Sequence, residues 1–432
     1  MTIDASGGVA SWASGTPTNA APDGASGVPH PDQRNPGAAA DPDIEPADAI
    51  ALDDTAMEND PGVDSDLVAL RARCTRFLTG NRRLTPRDML RRLADRCEAD
   101  PLAGTPLEVG PDIYGVGAII NGFEERVATL LGKDSAVFMP SGTMAQQIAM
   151  RIWSERGTSK NVVFHPLSHL EIHERDGYRV LHGLRGITVG TTALPCTATD
   201  VAVIAEPAAA MLIELPQREL GGVLPSWEEL VAIVEAARAR GMRVHLDGAR
   251  LWECQPFYGR SLAEIAALFD SVYVSFYKIL GGIAGSMLLG DRAFIDESRV
   301  WQRRHGGNLI SLYPYVLSAE IGFDERLPHI PAYVARAREI AQALDTIDGA
   351  DVFPKPPPTN MMHVHIRGDR ATLEARAHAL AASSGVWSFE RLAPMPNPNV
   401  HTWEFTVGDA TMEFDVGELR SIVASVISPT AP

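Results

Sequence analysis

Three observations predict an α/β protein with a large, mostly parallel sheet and a smaller C-terminal α/β domain. Short apolar runs alternate with helical segments between residues 118 and 290, the pattern of strand–helix–strand units. Those runs lack in–out polarity, as strands buried on both faces do. Beyond residue 350 the runs alternate instead, as in MMHVHIRG, which marks half-exposed strands of a second sheet.

The chain has 432 residues, 45% hydrophobic and 22% charged, enough for a large core and more than one domain. Its net charge of −17 is uneven: residues 1–66 carry thirteen acidic side chains against one basic, Arg34. That segment is rich in Gly, Pro, Ala and Asp and cannot bury enough apolar surface to order itself. Residues 1–65 are therefore expected to be a disordered acidic leader, 66–110 an N-terminal arm with a helix, 111–315 the large domain and 316–432 the small one. No cluster of Lys and Arg suggests a nucleic-acid surface. No run approaches the roughly 20 apolar residues of a membrane span, and no signal peptide is visible. Cys74, Cys97, Cys196 and Cys254 are far apart, which describes neither a disulfide framework nor a metal site. A reducing cytoplasm is the expected compartment.

The elements follow in order. LTPRDMLRRLADRCEAD is a helix capped by Thr85 with Pro86 in its first turn. INGFEERVATLLGK is an amphipathic helix with Phe123, Val127, Leu130 and Leu131 on one face, closed by Gly132. Strands are expected at Ser135–Met139, Asn161–Phe164, Ala208–Glu214, Met242–Leu246, Ser271–Ser275 and Met287–Leu289. Helices lie between them at MAQQIAMRIWSERG, WEELVAIVEAARARG and LAEIAALF. A long helix over Pro331–Ile347, the strand MMHVHIRG, the helix ATLEARAHALAASSG, a strand over His401–Val407 and the helix GELRSIVASVI complete the chain.

Three features sit at strand ends, where α/β sheets bind ligands. In FMPSGTMAQQ, the N–H groups of Gly142, Thr143 and Met144 converge where a helix starts near Met144, with hydroxyls from Ser141 and Thr143. This is either a helix cap or an anion nest. In VHLDGARLWE, a strand ends on Asp247 with Arg250 three positions later, either a buried ion pair or a ligand-binding unit. In VYVSFYKILGGIAGSMLLG, Lys278 stands just past an apolar strand and before Gly281, Gly282 and Gly285. A buried lysine is costly unless paired or covalently bonded; the alternative is one that reaches the surface. Together the three suit pyridoxal phosphate: the nest takes the phosphate, Lys278 forms the internal Schiff base, and Asp247 keeps the pyridine nitrogen protonated.

These segments resemble the threonine aldolase and β-eliminating lyase family. The resemblance rests on DIYG (112–115), MPSGTMAQQ (139–147), SHLEIHERDGYRVLHG (168–183), ELPQRELGGVLP (214–225), HLDGARLW (245–252) and YKILGGIAGSMLLG (277–290). It implies a fold-type I pyridoxal phosphate-dependent enzyme with a seven-stranded sheet, assembled as a homodimer or homotetramer. It further implies that His169 stacks on the pyridine ring, that Glu174 lies nearby, and that Ser141, Gly142 and Thr143 hold the phosphate. Arg250 would contact the cofactor's 3′-oxygen or the substrate carboxylate, and Tyr114 would stand at the site's edge. The chain departs from the family in two places. Tyr277 replaces a serine before the lysine. NPNVHTWEFTVGD also lacks the arginine that clamps the substrate carboxylate, leaving His401 as the candidate there. An N-terminal R-S-D-T pattern is absent too; Arg76, Arg82 and Arg83 are the available substitutes.

The expected activity is cleavage of an L-threonine-like β-hydroxy-α-amino acid to glycine and an aldehyde, with Lys278, His169 and Asp247 catalytic. β-Elimination on the same scaffold is the alternative, and a non-catalytic scaffold protein is a third reading. The partner expected is a small amino acid, with no nucleic acid, membrane or metal.

Overall fold

Seven strands make the central sheet of the computed structural model, which describes residues 65–98, 110–389 and 391–428. They are β1 (Ser135–Met139), β2 (Asn161–Phe164), β3 (Arg185–Thr188), β4 (Ala210–Glu214), β5 (Arg243–Gly248), β6 (Ser271–Ser275) and β7 (Ser286–Gly290). Their order is β1-β7-β6-β5-β4-β2-β3. All pairings among β2 to β6 are parallel, while β7 is antiparallel to both neighbours. Six strands therefore point one way and β7 opposes them. The acidic-leader expectation falls on residues outside the described ones, apart from Ser65.

The reversal of β7 follows from chain length. Residues 276–285 join β6 to β7, fewer than the dozen or so that a parallel crossover needs. Every residue of β6 and β7 is buried, which suits their apolar centres, Val272–Val274 and Met287–Leu289. The edge strand β3, RGIT, is half-exposed; with Arg and Gly in it, no apolar run announces it.

Two large helices also escape sequence patterning. Arg292–Arg304 is capped by Asp291, whose carboxylate accepts from Phe294 N–H. Tyr313–Arg326 buries most of its length, Ser318, Glu320 and Arg326 included, so its buried positions do not form a purely apolar stripe. The helix expected to begin near Met144 starts two residues earlier, at Gly142, because Ser141 is its cap and accepts from Met144 N–H at 3.3 Å. Thr85 caps the Pro86–Glu98 helix as expected, through Asp88 N–H at 3.1 Å.

The C-terminal strands form a separate antiparallel sheet in the order Ala393–Pro394, Val400–Thr406, Met361–Arg367, Ala350–Phe353. Helices Ile330–Leu344, Arg370–Ser384 and Val416–Ile427 accompany it. No described helix is long and apolar enough to cross a membrane, and no described group of His, Cys, Asp and Glu could hold a metal ion. The four cysteines are unpaired.

The loop after β6 is held from three directions. Asn81, from the N-terminal arm, donates to Ile279 O at 2.7 Å, and Arg326 donates to Leu280 O at 2.8 Å. Within the loop, Gly282 N–H donates to Phe276 O at 2.8 Å. The Tyr313–Arg326 helix backs it so closely that a Cβ on Gly322 would lie 2.0 Å from Leu280 O. Gly322→Ala is expected to destabilise the protein by about 1–3 kcal/mol, the range for overpacked cores, and to shift the Lys278 loop. The denaturant midpoint and the intensity of Trp252 emission check this; an unchanged midpoint would mean that the helix does not brace the loop.

Candidate active site

The carboxyl ends of the six co-directional strands meet the start of β7, and chemically active side chains collect there. The 15-residue Gly142–Arg156 helix begins at this edge, so its first N–H groups and dipole favour an anion. Tyr273, on β6, reaches the same point. A Cβ on Gly142 would lie 2.0 Å from its hydroxyl oxygen, so only glycine fits there. The Tyr273 hydroxyl is hydrogen-bonded to that of Tyr277, and burial raises both phenols. Tyr277 thus places a hydroxyl near the helix terminus, where a serine was expected from the resemblance.

Asp247 and Glu214 are register partners on β5 and β4. Burial raises both above their ordinary values; Glu214 is pushed to about 8, with the Asp247 charge as a further cause. Glu214 accepts from the main-chain N–H groups of His169 (3.3 Å) and Arg218 (3.2 Å) and from the Gln217 amide (3.3 Å). Asp247 accepts from Ala249 N–H at 3.1 Å. Just beyond, Trp252 donates from Nε1 to Ser275 O at 2.9 Å, tying the HLDGARLW segment to the strand that delivers Lys278.

His169 lies 3.1 Å through Nδ1 from Glu174, and Gln147 donates to the other Glu174 oxygen at 3.0 Å. Burial, assisted by the Lys278 ammonium, lowers His169 to about 3, while burial raises Glu174 to about 8. Both shifts favour the uncharged forms of the two groups near neutral pH, joined by the hydrogen bond between Nδ1 and Glu174 Oε1. The His169 side chain stays about one-third exposed, so the ring retains an open face. The Lys278 ammonium acts on His169, Asp247, Glu174 and Glu253, which places it among them.

Arg250 turns to the C-terminal sheet, 3.8 Å from Glu404. Arg218 meets the same carboxylate from Nε at 2.8 Å. Burial works to raise Glu404, but the two guanidinium groups hold it well below the usual carboxylate range. Arg218 also lies 3.5 Å from Glu219, which bonds His173 Nε2 at 3.0 Å. Glu253 is fully buried, both its oxygens lack hydrogen-bond partners among the described residues, and burial raises it to about 7.

Thus Ser141, Gly142, Thr143, His169, Asp247, Arg250 and Lys278 come together at one edge. His401 does not join them. Successive strand residues face opposite ways, so His401 shares the side of Trp403 and Phe405, and its Nε2–H donates to Gly368 O at 3.1 Å. Glu404 is the residue of that strand turned to the arginines. Tyr114 stands half-exposed on the 112–116 loop, its N–H donating to Ile310 O at 3.0 Å. Arg76 and Arg82 pair with Glu418 and Glu413, and Arg83 lies over the Phe77 ring. Glu214, Arg218 and Glu404 were not anticipated. AMLIE ends in charge just as VHLD does, and HTWEF sets Glu404 opposite two aromatics; both signals are in the sequence.

The buried acids make stability pH-dependent. Glu174 and Glu214 keep their protons to about pH 8 folded but only to about 4.3 unfolded. The folded state binds more protons in that window, so their contribution is lost as pH rises through it. The buried histidines, at about 3 for His169 and His245 and about 4 for His182 and His363, act oppositely, and their contribution is complete above about 6.5. Thermal midpoints of the ligand-free protein are expected to fall between about pH 6.5 and 8, less steeply in Glu174→Gln. Equal slopes would mean that Glu174 is ionised throughout.

A family model for beta-eliminating lyases matches residues 102–367, more than half of the chain. A crystal structure from Listeria monocytogenes, of a candidate L-allo-threonine aldolase, is 42% identical with a TM-score of 0.76, covering 84% of this chain and 98% of that one. The low-specificity L-threonine aldolase 1 of Arabidopsis thaliana is 27% identical over 282 residues, 62% of this chain and 77% of that one. The low specificity L-threonine aldolase of Escherichia coli K12 is 32% identical over 207 residues, 46% and 61% of the two chains. With the sheet order, the reversed seventh strand and the charged strand ends already in place, the chain belongs to the beta-eliminating lyase family, fold-type I pyridoxal phosphate-dependent lyases that include the threonine aldolases.

Proposed function

We propose that this lyase is an aldehyde-lyase of the threonine aldolase type, cleaving an L-threonine-like β-hydroxy-α-amino acid to glycine and an aldehyde. The observation that carries this reading is the convergence of Lys278, Asp247 and His169 within electrostatic reach of one another. The donor set suits pyridoxal phosphate. Lys278 offers an amine for its aldehyde carbon. Asp247, deeply buried, offers an acceptor for a ring N–H. Gly142 and Thr143, with the Ser141 hydroxyl beside them, offer a helix terminus for the phosphate, and Arg250 a cation for the 3′-oxygen. When bound, the cofactor supplies an electron sink for the pair released as Cα–Cβ breaks.

The protein's own groups do the rest. Glu174 fixes the tautomer and plane of His169 through Nδ1. The open face of that ring would lie against the cofactor, and Nε2 would move the β-hydroxyl proton. Glu214, one strand from Asp247, orients the 169 and 218 segments through their N–H groups. The β-eliminating alternative uses the same lysine and aspartate, so products separate the two.

We also propose a homodimer or homotetramer in which Tyr114 reaches the neighbouring site. The 112–116 and 309–313 loops support this: Ile113, Tyr114, Val116 and Ile310 are each at least half exposed and lie together, and such an apolar patch favours a partner.

Purified protein is expected to absorb in the visible, and borohydride reduction to fix a phosphopyridoxyl mass on Lys278. Lys278→Ala is expected to lose both. A colourless protein that takes up no pyridoxal phosphate overturns the reading. L-Threonine, L-allo-threonine or phenylserine is expected to release an aldehyde; none from any of them rejects the aldolase assignment. His169→Phe, which keeps a stacking ring but no proton carrier, is expected to lower kcat by about 10²-fold, with cofactor content retained.

A further inference from the structure

The VHLDGARLWE segment ends on a sealed acid. Glu253 closes the Leu251–Glu253 turn. It is fully buried, and neither of its oxygens has a hydrogen-bond partner among the described residues. The backbone that carries it is fixed. Glu253 N–H donates to Arg250 O at 3.0 Å, and Cys254 N–H donates to Leu251 O at 3.0 Å. Its chain neighbours Trp252 and Cys254 are buried too. The Trp252 indole donates to Ser275 O at 2.9 Å, three residues before Lys278. The turn and the lysine are thus tied to one strand end.

Charged groups meet Glu253 from three elements. Arg250 precedes it on its own segment, Lys278 follows β6, and Glu404 comes from the C-terminal sheet. The Cys254 thiol, next in the chain, is raised by its own burial and by Glu253. A sealed carboxylate with no donor costs far more than an uncharged carboxyl group. Burial and the Glu404 charge oppose ionisation of Glu253, Arg250 and Lys278 favour it, and the balance lies at about 7. The coupling is mutual: since the Lys278 cation favours the carboxylate, the carboxylate favours the Lys278 cation equally.

We propose that Glu253 is a positioning residue that sets the charge on Lys278: uncharged, it lets the lysine nitrogen give up its proton, and ionised, it holds that proton in place. This rests on the reading of Lys278 as the amine that binds the cofactor. A lysine nitrogen attacks a carbonyl carbon only in its unprotonated form, so the acid governs how readily Lys278 makes and releases its bond. His169, Asp247 and Glu174 also face the lysine. Glu253 differs from Asp247 and Glu174 in having no hydrogen bond to hold either of its forms.

The visible absorbance of the holoenzyme, titrated with base, reads the proton on the cofactor-linked Lys278 nitrogen and tests this. Glu253→Gln, which keeps the shape and never carries the charge, is expected to lower the midpoint by about one pH unit. Glu253→Leu, which changes the packing as well, is expected to lower it equally. Glu253→Asp, which keeps the acid, is expected to stay close to wild type. A packing role would separate the Glu253→Gln and Glu253→Leu shifts, whereas a charge role makes them alike. Midpoints within about 0.3 pH unit of wild type in both, unequal shifts in the two, or a Glu253→Asp shift as large as theirs overturn the role of Glu253 and leave the cofactor reading standing. A wild-type protein that takes up no pyridoxal phosphate overturns the reading of Lys278, and this role with it.

Discussion

One partly buried ammonium organises this site. Lys278 stands where six strands end, among His169, Asp247, Glu174 and Glu253. A lone cation there would be expelled or neutralised. The surrounding acids are in turn too many to be charged together, and burial drives Glu174, Glu214 and Glu253 toward their protonated forms. Burial thus favours a cluster near neutrality over one in which every acid is charged.

Holding the lysine in that position takes most of the molecule. The loop that carries it is too short to cross the sheet, so β7 turns back antiparallel and closes the site's edge. Asn81 from the N-terminal arm and Arg326 from the Tyr313–Arg326 helix take the loop's carbonyls. Gly322 lets that helix approach the loop, and Trp252 ties the aspartate-bearing segment to the end of β6. Segments that precede and follow it in the sequence thus converge on ten residues.

The second half of the site is an exchange of charge between sheets. Glu404, on an antiparallel C-terminal strand, meets Arg218 and Arg250 from the parallel sheet. Buried ion pairs of this kind add little stability on balance because desolvation opposes them. Their value here is orientation: each side chain is placed by the other. Breaking the pair by removing one partner would leave a charge buried and unmet, which ties the site's geometry to the C-terminal sheet.

Local pattern determined much of this by itself. The strands Ser135–Met139, Asn161–Phe164 and Ser271–Ser275 follow from runs of apolar residues, and Ser141, Asp247 and Lys278 are legible because charge or cap residues end such runs. Tertiary structure decided the rest. The Tyr313–Arg326 helix has no purely apolar stripe because its buried positions include Ser318, Glu320 and Arg326. The edge strand Arg185–Thr188 is defined only by its neighbour. His401 and Glu404 are three residues apart on one alternating strand, and composition cannot say which face meets the arginines. That choice depends on the register between Glu404 and His363 and on a carboxylate finding two guanidinium groups contributed by a different sheet, a contact between residues 186 positions apart.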